Sequence, residues 1–129
     1  MTMVSLILLS HSPKIVDGIK DMLDEMAKGI PLFVAGGDGA GGLGSDYELI
    51  KDTMHKAYNP QGVVILFDLG SSFMTADTVL DEMDDAMRAK FVFARVPLVE
   101  GAIVAAMEIS SGAGLEDVLA ALKEMEMVK

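Results

Sequence analysis

Residues 4–13 read VSLILLSHSP. A nearly continuous apolar run of six residues, 4–9, broken only by Ser5, ends in a polar, proline-containing exit. That length and that exit suit a strand buried on both faces of a sheet rather than a helix. Pro13 fits the first turn of a following helix, where its missing N–H costs nothing, and Ser12 fits the N-cap. Ile15, Ile19, Met22, Leu23 and Met26 then recur at helical spacing, and Lys28-Gly29 closes the helix with a cation and a glycine.

The strand–helix unit repeats outward from there. Residues 31–35 (PLFVA) predict a second strand, and 36–44 (GGDGAGGLG) a glycine-rich loop. Ser45 and Glu48 form an expected capping box. The helix behind it has Tyr47, Ile50, Met54 and Ala57 on its apolar face. Residues 63–67 (VVILF) predict a third strand ending at Asp68, and Leu69-Gly70-Ser71-Ser72 opens a helix continuing to residue 87. Residues 91–96 (FVFARV) predict a fourth strand, followed by helices over 99–110 and from Leu115 to Met125. The order βαβαβαβαα predicts an α/β fold, a single three-layer domain over 1–129. Its parallel four-stranded sheet should have order 2-1-3-4, with helices on both faces. Strands one and three then lie side by side where the winding reverses, and ligands bind outside their carboxyl ends.

Composition narrows the chemistry. The chain has 129 residues, no Cys and a formal net charge of −10. Thiolate metal sites, disulfides and cysteine nucleophiles are excluded. The acidic surface argues against nucleic acid and against anionic membranes, and favours basic partner surfaces. The apolar start, residues 1–10, lacks a basic n-region and is too short to span a bilayer. A cytoplasmic location follows as an expectation.

His11 ends the first strand and Asp68 the third, so the topology brings them to one crevice. A histidine beside a carboxylate can be a base, a metal ligand or a nucleophile. No serine or cysteine elbow suits the first. For the second, only His55, Asp38 and Asp46 are at hand, so no metal is expected. Direct attack of the imidazole on phosphorus remains, with a carboxylate on one ring nitrogen fixing the tautomer and stabilising the cationic ring. Ser12 and Ser71-Ser72 open helices whose free amides suit a phosphate. Gly36 and Gly37 permit close backbone approach. A plainer reading makes His11 and Asp68 helix caps without chemistry.

Four segments carry a resemblance: LSHSPKIVDGI at 9–19, AGGDGAGGLGSD at 35–46, LFDLGSS at 66–72 and VPLVEGA at 96–102. In this order and register the chain resembles the mannose-type enzyme IIA family of the sugar phosphotransferase system. Within it, the DhaM phosphotransfer subunits of phosphoenolpyruvate-dependent dihydroxyacetone kinases are the nearer match. The resemblance implies phosphorylation of His11 on Nε2, with Asp68 on the other ring nitrogen. Ser12, Gly36, Gly37, Gly70, Ser71 and Ser72 then hold the phosphate. It implies a homodimer with no cofactor, fed by the phosphocarrier protein HPr and discharging to ADP on DhaL, with DhaK binding dihydroxyacetone. A sugar-transport enzyme IIB is the alternative acceptor. Mannose-type members differ after Asp68 and carry a fifth, antiparallel strand where this chain reads as helix. Ser45 stands where a threonine is expected.

Other readings compete. Gly39-x-Gly41-x-x-Gly44 imitates a dinucleotide-binding loop. Against it, Asp46 would repel a pyrophosphate, and the strand carrying the loop should lie at the sheet edge. A phospho-aspartate receiver would need acids after strand one, where Ser10-His11-Ser12 stands. A non-enzymatic interaction domain is a third. His55 and the acids of 81–85 read as solvated surface, and the methionines as core filler. The segment 96–102 is either a plain strand-to-helix turn or part of a partner surface.

Overall fold

A computed structural model describes residues 3–129; Met1 and Thr2, the first residues of the stretch 1–10, lie outside the described residues. Four parallel strands, β1 (Ser5–Ser10), β2 (Leu32–Gly36), β3 (Val63–Phe67) and β4 (Phe91–Ala94), form one sheet of order β2-β1-β3-β4. The expected order 2-1-3-4 is thus the observed one. Six helices connect and cover it: α1 (Pro13–Met26), α2 (Tyr47–Ala57), α3 (Gly70–Asp81), α4 (Asp85–Arg88), α5 (Leu98–Ser110) and α6 (Leu115–Lys123).

The central strands read as unbroken apolar runs because both faces are covered. Side chains alternate across a strand. Leu6, Leu8, Val64 and Leu66 therefore pack beneath α1, α5 and α6. Ile7, Leu9, Ile65 and Phe67 pack beneath α2 and α3 on the opposite face. All eight are fully buried. Each such side chain contributes roughly 1.5–3 kcal/mol relative to exposure. Edge strand β2 keeps only Ala35 fully buried.

Four local expectations need correction. The buried stripe of α1 is Val16, Ile19 and Leu23, continued by Ala27 at the C-cap, whereas Ile15, Met22 and Met26 are exposed. The helix is rotated from the predicted face by about one residue, because the i, i+3, i+7 pattern fits both sets. Ser12 is the N-cap of α1 but makes no side-chain cap bond. The capping box is absent: Asp46 caps α2 by accepting the Leu49 N–H at 2.8 Å, which frees Ser45. The helix predicted to reach residue 87 is two helices. Asp84 ends the irregular turn after α3 by accepting the Met87 N–H at 2.8 Å, starting α4.

The 96–102 segment packs four of its residues inward and leaves Val99 and Glu100 exposed. Val96, Leu98 and Ala102 are buried. A Cβ on Gly101 would lie 2.4 Å from Val96 Cγ2, so that glycine lets α5 close against the turn that follows β4. Among the described residues, no helix is long and apolar enough to cross a membrane.

Candidate active site at the carboxyl ends of β1 and β3

Register decides what meets in the crevice. Leu9 pairs with Phe67, so the next residue on each strand, Ser10 and Asp68, face one another. Ser10, not the imidazole of His11, is therefore the side chain placed against the carboxylate. Ser10 Oγ–H donates to Asp68 Oδ2 at 2.6 Å. The backbone N–H of His11 is shared between Asp68 Oδ1 and Oδ2 at 3.2 and 3.3 Å. The Leu69 N–H donates to Oδ1 at 2.7 Å. Asp68 is thus satisfied by hydroxyl and amides and does not hydrogen-bond to the ring, contrary to the expected carboxylate–imidazole contact. His11 Nδ1 is buried and has no hydrogen-bond partner among the described residues, while His11 as a whole is half-buried. Leaving such a group unpaired costs about 1–3 kcal/mol.

The glycine-rich loop is clamped to the same backbone. Gly37 N–H donates to Ser10 O at 3.1 Å, and Gly44 N–H donates to His11 O at 2.8 Å. Asp38 knits the loop internally. Its Oδ1 accepts from the N–H groups of Ala40 (2.8 Å) and Gly42 (2.9 Å). These two amides hold the Asp38 carboxyl below the usual carboxylate range.

Counting amides separates the residues expected to hold phosphate. Gly37 N–H is spent on Ser10, and Ser12 N–H donates to Ser10 Oγ at 3.0 Å. Neither is free for an anion, which corrects the expectation for those two amides. Gly36 and Gly37 do permit close approach, but of protein. A Cβ on Gly36 would lie 2.7 Å from Ser12 O, and one on Gly37 would lie 2.3 Å from Gly42 O. At the start of α3, Ser72 N–H donates to Leu69 O at 3.2 Å. The Gly70 and Ser71 amides have no partner among the described residues, and both residues are exposed. Helix N-termini with unspent amides attract anions.

Sequence reasoning missed two residues here. Ser10 is 2% exposed and links Asp68 to the start of α1. The parallel register was its available signal. Ser45 Oγ lies 3.1 Å from Ser72 Oγ and 3.4 Å from Ser71 Oγ. Its signal was obscured by the capping box it was expected to make.

The remaining candidates separate cleanly. Asp38 and Asp46 are engaged with loop and helix amides. His55 and the acids of 81–85 are exposed. The dinucleotide-like loop follows edge strand β2, and its Gly37 and Gly44 amides are spent on the Ser10 and His11 carbonyls rather than left for a pyrophosphate. A cavity of about 490 Å³ lies between β4 and α6, lined by residues such as Phe93, Leu119 and Met127, and includes none of the crevice residues.

Comparison with known proteins places this site in context. A family model described as "PTS system fructose IIA component" matches residues 5–119. The phosphoryl donor subunit DhaM of PEP-dependent dihydroxyacetone kinase 2 from Listeria innocua is 36% identical over 107 residues, which cover 82% of this chain and 86% of that protein. The phosphotransferase subunit DhaM of a PTS-dependent dihydroxyacetone kinase from Lactococcus lactis is 33% identical, covering 96% and 97% respectively. Several longer DhaM relatives are matched over about a quarter of their length. Among solved structures, that of the unknown-function protein EF1359 superposes with a TM-score of 0.85 at 32% identity, covering 99% of this chain and 98% of that one.

Proposed function

The chain belongs to the PTS system fructose IIA component family, and from that premise we propose that it is a DhaM-type phosphohistidine carrier. It accepts a phosphoryl group from HPr on His11 and donates it to ADP bound on DhaL, for the phosphorylation of dihydroxyacetone held by DhaK. One observation carries the reading. His11 stands at the β1/β3 switch point, on a backbone fixed by Asp68, beside a helix tip with two unspent amides.

The chemistry follows from that arrangement. Nδ1 is the buried nitrogen, so Nε2 is the one assigned to attack phosphorus. With the ring proton on Nδ1, the Nε2 lone pair is available. The P–N bond forms at His11 as the donor's bond to phosphorus breaks, and the ring becomes cationic. The Asp68 carboxylate, held on the His11 N–H, offsets that charge. The amides of Gly70 and Ser71 cradle the phosphoryl oxygens, while Ser72, buried behind them, supports the helix tip through Ser45. Ser12, Gly36 and Gly37 contribute by fixing the loop against α1. Transfer onward reverses the bond changes. The carrier acts as a cytoplasmic homodimer in this reading.

Similarity to the DhaM subunits of Listeria innocua and Lactococcus lactis favours dihydroxyacetone kinase over sugar transport. The test is incubation with phosphoenolpyruvate, enzyme I and HPr, followed by intact mass measurement. One phosphoryl group should appear on the wild type and none on His11→Ala. The label should be acid-labile and base-stable, and DhaL–ADP should discharge it. Failure of the wild type to take phosphate would end the proposal. Discharge by an enzyme IIB but not by DhaL–ADP would establish the sugar-transport alternative instead.

A further inference from the structure

Three hydroxyls meet where the glycine-rich loop passes the tip of α3. Ser72 is fully buried, and its Oγ has Ser45 Oγ at 3.1 Å as its side-chain partner. Ser45 also reaches Ser71 Oγ at 3.4 Å. Elsewhere on α3, hydroxyls bond back to their own helix: Thr75 donates to Ser71 O at 3.1 Å and Thr78 to Met74 O at 3.0 Å. That is the ordinary habit of Ser and Thr within a helix. Ser71 and Ser72 are instead turned toward Ser45.

The backbone gives Ser45 this position. Gly37 and Ser45 form an isolated parallel bridge, and the Asp46 N–H donates to Gly37 O at 3.2 Å. Gly44, the residue before, holds His11 O at 2.8 Å. One short segment therefore grips the nucleophile's backbone and presents a hydroxyl to the helix tip. Each serine hydroxyl has one proton and can accept two. Two O···O contacts among three hydroxyls use two protons, and the third remains for an anion lying on the Gly70 and Ser71 amides.

We propose that Ser45 is a positioning residue for phosphoryl transfer, its hydroxyl pairing with that of buried Ser72 and setting the Ser71 hydroxyl toward the phosphoryl group in transit to His11. This rests on the phosphohistidine reading above. Ser45 is half-buried and its side chain caps nothing, so its loss should leave the fold intact.

The test uses the full chain with phosphoenolpyruvate, enzyme I and a range of HPr concentrations, comparing wild type, S45A and S45T. S45A should lower kcat for His11 phosphorylation about tenfold, as loss of one hydrogen bond in transit implies. KM for phospho-HPr should stay unchanged, the thermal midpoint should fall because buried Ser72 Oγ loses its side-chain partner, and S45T should restore most of the rate and the midpoint. Wild-type kinetics in S45A would overturn the proposal and leave the carrier function standing. So would an S45T variant no better than S45A. A raised KM with an unchanged kcat would assign Ser45 a purely structural role and overturn it too. Failure of the wild type itself to accept phosphate would bring down the carrier reading, and this proposal with it.

Discussion

The carboxylate of Asp68 holds the backbone N–H of His11, at 3.2 and 3.3 Å, and not its ring. Asp68 therefore fixes where the imidazole starts from, with Ser10 Oγ and Leu69 N–H completing the carboxylate's own partners. Removing the side chain strands a buried hydroxyl and two amides. Asp68→Ala should cost about 1–3 kcal/mol of stability in urea titration and slow phosphoryl uptake without abolishing it. Asp68→Asn keeps an acceptor and should cost less stability while losing the charge that balances the phosphorylated ring. An Asn variant transferring at the wild-type rate would show that the charge is idle.

Gly37 has φ of +80°, and a Cβ there would lie 2.3 Å from Gly42 O. Strain and clash fall on the same residue, and neither neighbouring backbone can yield without opening the loop. Gly37→Ala should destabilise the protein by more than about 1 kcal/mol and slow transfer, because the Gly37 N–H and Gly44 N–H that hold the Ser10 and His11 carbonyls are displaced together. Gly18, with open space at its Cβ position and a helical backbone, is the control. Gly18→Ala should leave thermal stability unchanged or raise it.

Asp38 is held below the usual carboxylate range by the amides of Ala40 and Gly42. A depressed folded-state value means that the ionised form is favoured by folding. The contribution is present above the unfolded value, about pH 4, and is lost as pH falls through the folded one. The loop should therefore loosen in acid. Hydrogen exchange at Ala40 and Gly42 should speed up selectively below about pH 4 relative to that expected from intrinsic rates. Asp38→Asn should show the loosened loop at neutral pH as well. Unchanged protection in both conditions would refute the role assigned to Asp38.

How far the sequence alone reached depends on which interaction decides each feature. The sheet order and strands β1 and β3 were legible because unbroken apolar runs at these lengths have few alternatives. The meeting of His11 and Asp68 was legible from topology alone. Their contact was not, because parallel register shifts it by one residue, to Ser10. The face of α1 was misread because Ile15 and Met22 fit the same period as Val16 and Leu23. Ser45 was misassigned because Asp46, one position on, competes for the same cap and wins it with a charged acceptor. Local propensity could not anticipate that the displaced hydroxyl would find partners on α3, 26 and 27 residues away.

Amide accounting yields the sharpest test of where the phosphate rests. Gly37 and Gly44 amides are spent on Ser10 and His11 carbonyls, whereas those of Gly70 and Ser71 are unpartnered among the described residues. A dianionic phosphoryl group on His11 gains charge-assisted hydrogen bonds only from donors that are not already committed. Phosphorylation should therefore move the amide proton resonances of Gly70 and Ser71 strongly downfield. Those of Gly37 and Gly44 should shift only slightly, since their hydrogen bonds persist. Large downfield shifts at Gly37 with none at Ser71 would put the phosphate on the glycine-rich loop. The Ser12 amide, engaged by Ser10 Oγ at 3.0 Å, discriminates further. A downfield shift there would require that bond to break and α1 to share the load, which the present geometry does not provide.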